Sequence, residues 1–80
     1  MKFDIQSPAY SAKAVTPSNT VDMPGTVKAL YIGGTGNVRV LTASGDDVVF
    51  SGMSAGSYLL VQVVRVFATN TTATNIVALY

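Results

Sequence analysis

Tyr58-Leu-Leu-Val-Gln-Val-Val-Arg-Val-Phe-Ala68, then Thr69-Asn-Thr-Thr-Ala-Thr-Asn75, then Ile76-Val-Ala-Leu-Tyr80 is the stretch that sets the fold class. Valine and aromatic residues suit a pleated, half-buried surface, and the Thr/Asn cluster supplies side-chain to backbone hydrogen bonds that favour turns. The stretch predicts a long strand, a turn and a further strand. Strict alternation places Leu60, Gln62, Val64 and Val66 on one face and Leu59, Val61, Val63, Arg65 and Phe67 on the other, so each face carries one polar residue. A bulge between Gln62 and Arg65 would bring both to one side. A regular strand, the preferred alternative, buries one face in the core and turns the other to a subunit contact.

Upstream, apolar runs at residues 27–32, 38–43 and 47–51 alternate with turn signals at Gly33-Gly-Thr-Gly-Asn37, Ser44-Gly-Asp46 and Gly52-Met-Ser-Ala-Gly56. No segment combines helical periodicity with caps. The pattern predicts an all-β chain, a small antiparallel β-sandwich or partly open barrel of about six strands joined mostly as hairpins. Residues 1–26 read differently. They hold all three prolines, Pro8, Pro17 and Pro24, and their apolar residues follow no period. Proline fixes its own φ, lacks a donor and extends the residue before it, so this is an extended arm with at most a short strand near residues 13–16, leading through the turn Asp22-Met-Pro-Gly25 into a body at 27–80. On this reading, residues 1 to about 20 are mobile in the isolated protein and order on docking.

Eighty residues make one domain with a small core. Small proteins supplement such a core with disulfides, metal or association; without Cys or His the first two routes are closed, so a homo-oligomer is expected. The net charge is +1, from five basic and four acidic residues, which lacks the basic excess of a nucleic-acid binder. The longest apolar run is interrupted by Gln62 and Arg65 and is too short to cross a membrane as a helix. The N-terminus lacks the apolar core of a secretory signal, so the chain is expected to be made in a cytoplasm.

The motifs argue against chemistry. Gly33-Gly34-Thr35-Gly36 resembles a phosphate loop, but such a loop leads into a helix whose N-terminus faces the phosphate, and here a strand follows; a hairpin connection is expected. Asp46 and Asp47, as neighbours on a strand, point to opposite sides and read as a solvated hairpin turn rather than an acid/base pair. Serine and threonine are abundant, but with no His and no Glu the usual general bases are missing, so no enzyme activity is expected. No catalytic, cofactor-binding or metal-binding residue is assigned. The tyrosines and phenylalanines lack the positive groove of a nucleic-acid stacking platform and read as core and interface anchors. Arg65, the one charge inside the most apolar strand, should pair at a subunit boundary or sheet rim, with Asp46, Asp47 and the Tyr80 carboxylate as candidate partners.

Ala14-Val-Thr-Pro-Ser-Asn-Thr20, Ala29-Leu-Tyr-Ile-Gly-Gly-Thr-Gly-Asn-Val38, Ala55-Gly56 ahead of Val64-Arg-Val66, Ala68-Thr-Asn-Thr-Thr-Ala-Thr74 and Ile76-Val-Ala-Leu-Tyr80, in that order, resemble the head-spike base proteins of bacterial gene transfer agents and related tailed phages. Where this chain has Asn70 the family pattern commonly has Gly, and Asn also tolerates positive φ. The resemblance implies a virion structural protein on the outer surface of the capsid. It would form a pentamer or trimer, contact the major capsid protein, and carry a spike or fibre protein at the vertices. A trimeric decoration (cement) protein seated between capsomers is the alternative within that class. A soluble ligand-binding β-module is the alternative outside it. Val15, Thr16 and Pro17 in the arm and Tyr31, Arg65, Phe67 and Tyr80 in the body are the candidate interface residues.

Overall fold

The run from Tyr58 to Ala68 breaks in two. In the computed structural model, which describes residues 9–80, Ser57–Leu59 and Val63–Val66 are separate strands in different sheets, and Leu60, Val61 and Gln62 cross between them. Seven strands result instead of six: β1 (Ala12–Ala14), β2 (Ala29–Gly34), β3 (Gly36–Thr42), β4 (Asp47–Met53), β5 (Ser57–Leu59), β6 (Val63–Val66) and β7 (Thr74–Leu79). They form two antiparallel sheets, β1-β7-β2-β5 and β4-β3-β6, the small β-sandwich that the turn spacing predicts.

The preferred regular strand is also corrected within β6. Its register against β3 shifts, Leu41 facing Arg65 and Thr42 facing Val63, so Val64 is the extra residue of a bulge. Val63 and Val66, three apart, both point into the core, while Gln62 and Arg65 share the outer side. Placing a guanidinium in a dry core costs far more than a local bend, and the bulge avoids it.

Between the sheets lie Leu30 and Ile32 of β2, Val38 and Val40 of β3, Leu59, Val63, Val66, Ile76 and Ala78, with Val27 and Ala73 at the ends. The buried residues alternate in β3 and β7, and in β2 from Leu30 on, with Ala29 buried as well, which is why these strands were readable. No buried residue is polar or charged among those described.

Among the described residues only one connection joining neighbouring strands is a hairpin, that of β3 to β4 through Ala43-Ser-Gly-Asp46, closed by Gly45 N–H to Thr42 C=O (2.9 Å) and Thr42 N–H to Asp46 C=O (2.9 Å). The expected hairpin at Gly33–Gly36 is instead a corner between sheets. A Cβ on Gly33, Gly34 or Gly36 would collide with Asn75, Thr74 or Ala73 respectively, so glycine here permits close approach of the corner to the 72–75 segment. The return from β6 to β7 leads into that segment, with Asn70 at φ 69° supplying a left-handed turn, and Asn75, inside β7, also sits at positive φ, 52°.

From Tyr10 onward the arm is bound into the fold; its first eight residues, and with them that part of the mobility expectation, lie outside the described residues. β1 forms one residue ahead of the expected position and pairs with β7, flanked by Tyr10 N–H to Tyr80 C=O (2.8 Å) and Val15 N–H to Ile76 C=O (2.9 Å). The chain then passes to the other sheet, where Ser18 N–H donates to Val66 C=O (2.9 Å), Met23 N–H to Val64 C=O (2.8 Å), and Val27 bridges Val63. Ordering of this stretch rests on backbone pairing with two sheet edges, which apolar periodicity does not register.

Candidate interaction surfaces

The outer face of the β4-β3-β6 sheet carries a chain of charges around one ring. Arg39 on β3 and Arg65 on β6 both point outward and flank Phe67, their guanidinium carbons 4.2 and 5.4 Å from its ring centroid. Phe67 is buried beneath them. Arg39 is held in turn by Asp47, Nε to Oδ1 at 2.9 Å and Nη2 to Oδ2 at 2.8 Å, a two-point contact across the β3–β4 hairpin. That hydrogen bonding raises the Arg39 pKa and lowers that of Asp47, against an opposing effect of desolvation that outweighs the lesser coulombic attraction. Asp47 is thus an ion-pair partner, while Asp46 closes the turn through Thr42, as the expected turn requires.

Arg65 finds a partner outside all three candidates. Its Nε donates to Asp22 Oδ1 at 2.7 Å and its Nη1 to the carbonyl of Asn19 at 3.2 Å, both in the arm. Asn19 also reaches the β6–β7 connection, Nδ2 donating to Thr69 Oγ1 (2.9 Å) and Oδ1 accepting from Thr69 N–H (3.0 Å). Ser18 Oγ accepts from the N–H groups of Thr20 (3.3 Å) and Val21 (3.1 Å), fixing the bend that presents Asn19. Asn19, Asp22 and Arg39 were absent from the candidate residues. The turn-forming Ser18-Asn-Thr20 was the available signal, but the 43 residues separating Asp22 from Arg65 conceal the pairing.

On the opposite face, Tyr31 of β2 and Tyr58 of β5 are cross-strand partners packed edge to face, centroids 5.4 Å apart, with Tyr58 largely exposed. Tyr80 lies at the arm side, half-buried, with the Lys13 ammonium 5.6 Å from its ring centroid and Gly25 packed against it. Val15 packs on the core and Pro17 is half-buried beside it in sequence, while Thr16 is exposed. The seven candidate interface residues therefore fall on three separate regions: Arg65 and Phe67 on one face, Tyr31 on the other, Val15, Thr16, Pro17 and Tyr80 along the arm side.

Among the described residues no buried side-chain polar atom lacks a partner, and no three acidic groups converge as metal ligands. A shallow depression lined by Lys13, Val15, Asp22, Met23 and Tyr80 marks where arm and body meet.

No protein-family model matches this chain, and no curated protein does. Among solved structures, a chain of the capsid of a native GTA particle, computed with C5 symmetry, is similar: the TM-score is 0.84 and identity 32%, over 99% of this chain and 92% of that one.

Proposed function

Since this chain belongs to the family of that GTA capsid chain, matched at 32% identity over 99% of its length, and is thereby a capsid-associated structural protein of a gene-transfer-agent type of head, we propose that it forms the base of a head spike. In this reading it assembles as a symmetric homo-oligomer on the outer surface of the head, at the fivefold vertices, bound to the major capsid protein and carrying a spike or fibre protein above. It has no catalytic role.

The observation that carries the proposal is the near end-to-end match to a chain in a fivefold-symmetric capsid. Five copies around a vertex, in place of three between capsomers, is the arrangement proposed. The surfaces are suited to such a ring, because a cyclic assembly larger than a dimer mates two different patches of each subunit, and this sandwich presents chemically different sides. A cryo-EM map of the parent particle tests it. Five copies around each vertex, outside the shell, are expected; density at threefold positions or on the inner surface would overturn the spike-base assignment.

A further inference from the structure

The two sides of the sandwich differ in how their sheet edges end. On one side β1 closes the four-stranded sheet, and the arm, running on from β1, lies along β6 and covers that edge of the three-stranded sheet. The other side therefore holds the edges of β5 and β4. β4 is the longest uncovered edge, seven residues from Asp47 to Met53, with no backbone bond on its outer side among the described residues. It exposes Val48 and Val49, and β5 beside it exposes Tyr58. All three residues of β1 are exposed as well, and Tyr10 just before it is almost wholly so.

Long apolar edges pair with other chains unless charge, proline or a covering segment blocks them. β6 is blocked by such a segment; β4 is not. Two further charges match across the sides. Lys13 on β1 and Asp46, in the turn just before β4, have no ion-pair partner among the described residues, whereas Arg39, Asp47, Arg65 and Asp22 are paired within the chain.

We infer that the β4 edge of one copy receives the β1 edge of the next, joining copies head to tail by backbone hydrogen bonds, with Val49 and Tyr10 buried at the seam and Lys13 facing Asp46. The inference deepens the ring proposed above and rests on it. Because the two edges are different patches, the contact is heterologous, and it closes as a ring when the rotation between neighbours divides the circle evenly, as the pentamer proposed above requires.

The chain lacks cysteine, so single-cysteine variants give a clean test. Full-length Ser11→Cys (just before β1) and Val48→Cys (β4), which face each other in the register that sets Lys13 opposite Asp46 and which both lie outside the core, are treated with a short bis-maleimide, alone and mixed. A covalent dimer is expected only in the mixture, and a ladder ending at the ring size in the double variant. Val49→Lys should weaken assembly about tenfold or more with the β-sheet circular dichroism unchanged. A dimer from Val48→Cys alone would mean that β4 pairs with β4 and would overturn the inference. Failure to cross-link in the mixture, while light scattering shows a ring, would overturn it and leave the ring standing. A folded monomer at micromolar concentration would overturn both.

Discussion

Arg65 shows how far one residue can be read from sequence. Its isolation in an apolar run announced a paired, rim-facing charge, and the structure has it so, but the partner is Asp22 of the same chain's arm. Arg65→Met should keep the stem's packing over Phe67 and lose the latch, costing about 1 kcal/mol, the scale of a partly exposed ion pair. Faster amide exchange at Ser18 and Met23, whose N–H groups bond β6, would report the loosened arm; unchanged exchange there would show that the backbone contacts hold alone. The second ion pair gives a pH dependence. Asp47 has a lowered pKa in the folded state, chiefly through its hydrogen bonds from Arg39, so the folded protein binds that proton less readily than the unfolded chain. Its contribution is complete above the unfolded carboxylate pKa and is lost as pH falls through the lowered folded value. Asp47→Asn should therefore flatten part of the acid limb of a stability–pH profile and leave neutral-to-basic slopes alone. Glycine supplies the sharpest contrast. Gly36→Ala drives a methyl into the backbone of the 72–73 segment and should cost about 3 kcal/mol or more, as overpacking against a rigid neighbour does, whereas Gly45→Ala, strained at φ 95° but in open space, should cost about 1 kcal/mol in denaturant titrations.

At the level of elements, legibility followed backbone regularity. β3 and β7 alternate cleanly, as β2 does from Leu30 on, and all three were found close to their positions; β5 and β6 were read as one strand because Leu60 and Val61 extend an apolar run through a sheet-to-sheet crossing. Composition cannot mark that break, since the crossing residues still pack on the sandwich, Val61 against the core. The glycine corner failed for a related reason: glycine announces a turn, but whether the chain returns beside itself or changes sheet depends on partners about 40 residues away in sequence. The arm is the largest difference. Its prolines and lack of period suggested mobility to about residue 20, yet residues from Tyr10 to Val27 line two edges through main-chain bonds that any side chain permits. Deleting residues 1–8 should leave thermal stability unchanged within about 0.5 kcal/mol if the described contacts set it, whereas deleting 1–26 exposes the β7 and β6 edges and should give an aggregating chain. Soluble, cooperatively folding protein after the longer deletion would show the arm to be an accessory.

The whole molecule is held by contacts between distant parts of the chain. β1 pairs with β7, β2 with β7 and β5, and β3 with β6, so four of the five strand pairings among the described residues wait on closure of long loops, and of these five only β3–β4 forms locally. Loop-closure entropy is met before such pairings return any stabilisation, which places folding in the range of milliseconds to seconds expected of small β-sandwiches. The same asymmetry orders the events. The β3–β4 hairpin, with its closed turn and the Arg39–Asp47 contact, should form in the transition state, while β7, inserted between β1 and β2, should dock late. Val40→Ala, in the hairpin and fully buried, is then expected to act mainly on the folding rate, with a φ-value of about 0.5 or above. Ile76→Ala, equally part of the core but on β7, should act mainly on the unfolding rate, with a φ-value of about 0.3 or below. Both substitutions remove enough buried apolar volume to make the ratio measurable. Stopped-flow folding of the two variants decides the matter, and a higher φ-value for Ile76→Ala than for Val40→Ala would place the nucleus in the long-range β2–β7 pairing instead of the local hairpin.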